Sequence, residues 1–358
     1  MSIYLITLLV VCLCSKYASE VKNNTISTLL LFVSFSTMIF VAGLRDWSIG
    51  TDSIDYVRYF ERVETFADSA ELAMKTKEYG YWTLSWLVHR FSGQYIFLFL
   101  SIALVVVSCY QRTILKYSYN STISFYVFIT LGFYTFFFNG ARQGLACAIC
   151  ALAVGPLIRS EFKKYVVVVL VATLFHKTAL IMLPLYFLLR KKNTLRTNAL
   201  FGVLALVAAL SLPYVVDTFS QYDSRYQGYG ASGEGGGFLM SAFNIVLWLF
   251  FYVFQQRASI GKRQYYSVFL NMLFFSAVIS LTSIVLRINP SGILRLTVYF
   301  NIGAIFLLPL CYESFSNRLS KKVFISVTGV FLVVYFVMTT SSFGQLVPYA
   351  LNNSLSIL

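Results

Sequence analysis

Four arginines, one histidine and one aspartate carry most of the chemistry this apolar chain can offer. Arg45 and Asp52 lie in GLRDWSIGTDSIDY (43–56), and Arg142 and Gln143 in GARQGLA (140–146). Arg287 and Arg295 flank the turn signal Asn289-Pro290-Ser291-Gly292, and Tyr299 stands one helical turn beyond Arg295. A guanidinium is a planar fork that pairs with phosphate oxygens in bidentate fashion, and two forks near one mouth can neutralise a diphosphate. Arg45 and Arg142 can contact the same kind of anion. Asp52 can orient or deprotonate a hydroxyl, and so can His176 in LFHKTALIMLP (174–184). Lys177 beside it makes a second ionisable group at membrane depth, where such groups are expensive. Tyr349 and the tyrosines 222, 226 and 229 offer aromatic faces for stacking. Each residue also has a plainer reading: a helix cap for Asp52, snorkelling for the arginines and a satisfied core histidine for His176.

The elements that must hold these residues are membrane helices. The 358 residues are 58% hydrophobic, 18% aromatic and 12% charged, and apolar runs long enough to cross a bilayer recur throughout. We therefore expect an all-α polytopic membrane protein, one integral membrane domain over 1–358. Ten spans are expected, at roughly 2–15, 26–44, 94–111, 121–138, 143–158, 198–216, 238–254, 265–286, 293–311 and 323–341. The short loops on one face then hold Lys16 and Lys22; Arg112 and Lys116; Arg159, Lys163 and Lys164; Arg190, Lys191, Lys192 and Arg196; Arg257, Lys262 and Arg263; Arg318, Lys321 and Lys322. This distribution places the whole net charge of +14 on one side, as expected of a cytoplasmic face, with both termini extracytoplasmic. The basic balance thus reports topology, and nucleic acid is not an expected partner. The six cysteines lie in or at the ends of apolar segments and read as core residues, with no disulfide framework. Neither HExxH nor paired CxxC argues for metal, and no cofactor is expected. The amino-terminal stretch reads as a first span rather than a cleaved signal.

Residues 165–189 are long enough to cross once, but a single crossing would move three basic loops to the outer face. They are expected to form a re-entrant or short-helix hairpin with Phe175, His176, Lys177 and Thr178 at its apex. Each arm of about eleven residues rises about 16 Å, roughly half of a hydrocarbon core of about 30 Å. A first extracytoplasmic loop spans 45–93, with a surface amphipathic helix from Ser53 to Glu71 and an interfacial segment holding Tyr79, Tyr81, Trp82 and Trp86. A second loop, 217–237, is rich in Gly and Tyr and reads as a mobile lid. No Lys-Ser or Lys-Thr pair follows its glycines, which argues against a nucleotide P-loop.

The ordered set GLRDWSIGTDSIDY, GARQGLA, LFHKTALIMLP, Arg295 with Tyr299, and Val347-Pro348-Tyr349 resembles the EpsG-type polymerases related to Wzy. These are bacterial inner-membrane proteins that polymerise O-antigen and exopolysaccharide repeat units. The resemblance implies a fold related to membrane-embedded GT-C-type glycosyltransferases and a site facing the periplasm or exterior. It also implies a reaction that moves a glycan from undecaprenyl diphosphate onto a fresh lipid-linked repeat unit, as in lipopolysaccharide or exopolysaccharide biosynthesis. The partners would be undecaprenyl-diphosphate-linked oligosaccharides, the bilayer and a chain-length-regulating co-polymerase. In that reading Arg142, His176, Arg295 and Asp52 are catalytic, and Arg45, Arg287, Gln143, Lys177, Tyr299 and Tyr349 bind substrate.

Two other classes compete. A transporter or flippase for lipid-linked oligosaccharide would carry mid-membrane polar sites on broken helices, often with an internal repeat, and no repeat is visible. A membrane O-acyltransferase would need a cytoplasmic acyl donor to reach a buried histidine.

Overall fold

The computed structural model describes residues 1–204, 207, 237–257, 262–285, 287 and 290–352. They form two compact units, one of 1–183 with 315–352 and one drawn from 184–314. Every described element is helical; one isolated antiparallel bridge joins Arg45 to Leu351.

In the first unit α1 (Ser2–Glu20) and α2 (Asn24–Gly43) form a hairpin. Three shorter helices follow: α3 (Ser53–Glu61), α4 (Phe66–Thr76) and α5 (Tyr79–Phe91). Next come α6 (Tyr95–Tyr117), α7 (Ser121–Thr130), α8 (Phe133–Asn139), α9 (Ala141–Leu152), α10 (Val154–Ile158) and α11 (Phe162–Thr173). A 3-10 turn, Lys177–Ile181, leads into α12 (Met182–Leu189), and α19 (Arg318–Ser342) returns to the first unit. The second unit holds a helix over 195–204 (α13), α14 (Phe238–Phe254), α15 (Arg263–Val285) and the single turn α16 (Pro290–Ile293). It ends in α17 (Thr297–Asn301) and α18 (Gly303–Glu313).

Among the described residues eight segments are long and apolar enough to cross a membrane. A ninth, Leu294–Asn301 with Gly303–Glu313, is bent by 42°. They coincide with nine of the ten expected spans. The expected span 198–216 and the loop 217–237, with its three tyrosines, lie largely outside the described residues. The chain is a polytopic membrane protein.

Asparagine begins several of these spans because its short side chain satisfies backbone donors that the first turn leaves open. Asn23 accepts from Thr25 and Ile26, Asn120 from Ile123 and Asn317 from Leu319. The expected single helix from Ser53 to Glu71 is two helices. Thr65 and Asp68 form a capping box: the Asp68 amide donates to Thr65 Oγ1 at 3.2 Å, and the Thr65 amide donates to Asp68 Oδ2 at 2.8 Å. A new helix must start there, so the old one ends at 61. Those hydrogen bonds hold the Asp68 carboxyl below the usual carboxylate range.

Residues 162–189 form two short helices joined by a break at 174–176, as the hairpin reading expected. The Tyr165 hydroxyl laces the arms by donating to the Met182 carbonyl at 2.8 Å. Residues 343–352 form a strap that lies antiparallel to residues 44–51. Asn352 N–H donates to Leu44 O, Asp46 N–H to Ala350 O, Gly50 N–H to Gln345 O and Thr51 N–H to Gly344 O, all at 2.9–3.2 Å. Tyr4 and Tyr349 fasten it further, donating to Leu346 O at 2.9 Å and Val41 O at 2.8 Å.

Candidate functional site

Arg142 is the second residue of α9 and its position is set from three directions. Gly144 lets α9 pack onto α8, since a Cβ there would stand 2.3 Å from Phe137 Cβ. The Ala141 amide donates to the Tyr56 hydroxyl at 3.0 Å, and that hydroxyl lies 3.3 Å from the Asn139 carbonyl. Ser53 donates to Phe138 O at 3.1 Å. The start of α3 is thus docked on the α8–α9 junction, which brings GLRDWSIGTDSIDY and GARQGLA together. Gly50, at φ 102°, makes the turn that permits this, and it sits in a conformation that L side chains rarely adopt.

His176 lies in the break between α11 and the 3-10 turn. The start of α5 folds back onto that break, where the Gly80 amide donates to Leu174 O at 2.8 Å. Thr76 shapes the approach by accepting from the Glu78 amide at 3.3 Å and from Trp82 Nε1 at 2.7 Å. The result is a buried carboxylate between two donors. Glu78 Oε2 accepts from Arg142 Nη1 at 2.6 Å, and Glu78 Oε1 lies 2.6 Å from His176 Nδ1. Glu78 has no exposed side-chain surface, whereas Arg142 and His176 keep 27% and 24% of theirs. The carboxylate is sealed in and its two partners reach a surface. Tyr81, whose hydroxyl burial raises far above the ordinary range, lies beneath the Arg142 guanidinium at 5.9 Å.

A carboxylate on Nδ1 fixes the imidazole tautomer, leaves the Nε2 lone pair available and stabilises the imidazolium formed when Nε2 takes a proton. Among the described residues His176 Nε2 makes no hydrogen bond. The same carboxylate holds one nitrogen of Arg142, and the remaining guanidinium edge can meet an anion. A proton acceptor and a fixed positive fork therefore share one anchor.

The other expected site residues of this unit take different places. Asp52 starts α3, half-buried, and accepts from Thr51 Oγ1 at 3.1 Å. Thr51 also bonds Asn139 Oδ1 at 3.0 Å, so Asp52 stands on the same motif junction as Arg142. Lys177 is half-buried next to His176 and Gln143 is 5% exposed in the core. The substrate contact expected of Arg45 requires an accessible fork, and the structure closes it: Arg45 is 1% exposed, with Phe99 at 3.9 Å and Phe138 at 4.5 Å from its guanidinium. Its Nη1 donates to Ala42 O, and burial lowers its pKa to about 10. Its backbone pairs with the strap at Leu351. Tyr349 belongs to the strap itself, edge-on to Tyr4 at 5.6 Å, with its hydroxyl spent on Val41 O.

In the second unit Arg287 and Arg295 are exposed on either side of the single-turn helix α16, and Arg287 has φ 50°. Tyr299 is 2% exposed in that unit's core, so it does not share the open face of Arg295.

Glu78 is the residue that sequence reasoning passed over. It sits in KTKEYGYW, where one more charge in a charged loop draws no attention. Its signal was positional: it is the last acid before Glu161 and it opens an aromatic segment next to a glycine.

Residues 28–351 match the EpsG family. Neither the curated proteins nor the solved structures contain a match.

Proposed function

This chain belongs to the EpsG family, an exopolysaccharide-related, polymerase-type group of membrane proteins, and we propose that it is a polysaccharide polymerase using a lipid-diphosphate-linked donor. The observation that carries the reading is the Glu78 carboxylate clamping His176 and Arg142 at 2.6 Å each. The donor is a growing glycan on undecaprenyl diphosphate and the acceptor a hydroxyl of a lipid-linked repeat unit. His176 Nε2 takes the hydroxyl proton as the oxygen bonds the anomeric carbon. The bond from that carbon to the diphosphate oxygen breaks with its electron pair, and Arg142 meets the charge on the departing diphosphate. Asp52, on the same junction, orients the acceptor. Arg287 and Arg295 hold phosphate in the second unit. The reaction faces the exterior of a bacterial cytoplasmic membrane, where a chain-length regulator is the expected protein partner.

Cells lacking the protein should display single repeat units and lose the longer ladder, and Arg142→Ala or His176→Ala should fail to restore it. A normal ladder from either variant removes that residue from the mechanism. Loss of the single unit as well would favour transport of the lipid-linked oligosaccharide. Purified protein given defined undecaprenyl diphosphate oligosaccharides should lengthen the glycan unaided.

A further inference from the structure

The second unit contains a buried polar seam that the reaction above does not use. Ser241, Asn244 and Trp248 recur at helical spacing on α14. Ser276, Ser280 and Ser283 do the same on α15, and Thr297 and Asn301 on α17. Asn244 Nδ2 donates to Ser280 Oγ at 2.9 Å and accepts through Oδ1 from Asn301 Nδ2 at 3.0 Å. Ser241, Asn244, Ser276 and Ser280 are each 1% exposed or less. Three further groups are buried without a hydrogen-bond partner among the described residues: Asn301 Oδ1, Ser276 Oγ and Trp248 Nε1. At membrane depth such groups are costly unless something satisfies them.

The unsatisfied set has a definite chemistry. Asn301 Oδ1 accepts, Trp248 Nε1 donates and Ser276 Oγ does both. Among the described residues the seam has no charged side chain, which disfavours a metal ion or a phosphate and suits an uncharged polyol. The chain order gives it an entrance. α14 starts, α15 ends and α17 follows at one end of this unit, the end that carries Arg287 and Arg295. Asn244, Ser280 and Asn301 lie about 10 Å below that end at ~1.5 Å per residue.

We propose that the seam lined by Asn244, Ser276, Ser280 and Asn301 binds the hydroxyl groups of a neutral saccharide, entering from the end marked by Arg287 and Arg295. The inference rests on the polymerase reading for the identity of that saccharide. Binding supplies partners for the three unsatisfied groups.

The test uses full-length purified protein and, as probe, the free oligosaccharide repeat released by mild acid from the cell's own surface glycan. Calorimetry should find binding to the wild type, weakened about tenfold by Ser276→Ala and by Asn301→Leu. Ser276→Ala should unfold at the same or higher temperature than the wild type, because it removes an unsatisfied buried group. Asn301→Leu also removes the donor to Asn244 Oδ1 and should unfold at a lower temperature while remaining folded. In the polymerisation assay they should raise KM and leave kcat near its original value. Unchanged binding and KM in folded variants would overturn the seam, as would a wild type that polymerises but does not bind the probe. Binding without polymerisation would instead retain the seam and sink the polymerase reading.

Discussion

At the residue scale the central object is Glu78, a fully buried carboxylate whose two oxygens are divided between an arginine and a histidine. Glu78→Gln keeps the volume and one hydrogen bond while removing the charge that holds the imidazole tautomer. It should lower the polymerisation rate by about 100-fold or more, measured on purified protein, with little change in fold. Glu78→Ala goes further, leaving Arg142 beside an empty buried space, and should cost about 3–5 kcal/mol of stability, read by thermal unfolding. Arg142 and His176 could be singled out from sequence because ionisable groups are rare in apolar surroundings. Glu78 could not, because its burial comes from the return of α5 onto the break at 174–176, a tertiary event. Arg45 shows the converse. A snorkelling fork and an enclosed one look alike until the aromatic rings of Phe99 and Phe138, brought by other helices, close over it.

At the element scale the site depends on how closely α8 and α9 approach. Gly144→Ala would place a methyl group against Phe137 and should cost about 1–3 kcal/mol. The same displacement moves Arg142, so the activity loss should exceed what the change in folded fraction explains. Nine spans were legible because an apolar run of membrane length has few alternatives. Their breaks were less so. Gly132, at φ 80°, separates α7 from α8 inside what hydropathy reads as one segment. The extra helix start at Thr65 was in principle readable, since Thr-x-x-Asp is a local signal. The amphipathic pattern running through it concealed the interruption. Thr65→Ala should cost about 1 kcal/mol, visible as faster proteolysis between 61 and 68.

For each unit as a whole, what hydropathy cannot show is which distant segments meet. The hairpin at 162–189 was anticipated from the charge of its flanking loops, a constraint that acts on the whole chain. The strap was not, because residues 344–352 have neither a periodic pattern nor a charge that names a partner. Deleting 344–352 removes the four backbone pairings with 44–51 and the Asn139–Gly344 contact at 3.2 Å. The truncated protein should still insert, yet lose activity and show protease sensitivity across 44–51. Retained activity would mean that the motif 43–56 holds its shape alone.

The strap also orders events during synthesis. Tyr349 meets Val41 across 308 residues of chain, and at ~5–20 residues per second the ribosome takes roughly 15–60 s to cover that distance. For all that time residues 44–51 lack the backbone partners they will finally have. The junction carrying Arg142 and Asp52 therefore gains its last backbone partners only after every described span has been made.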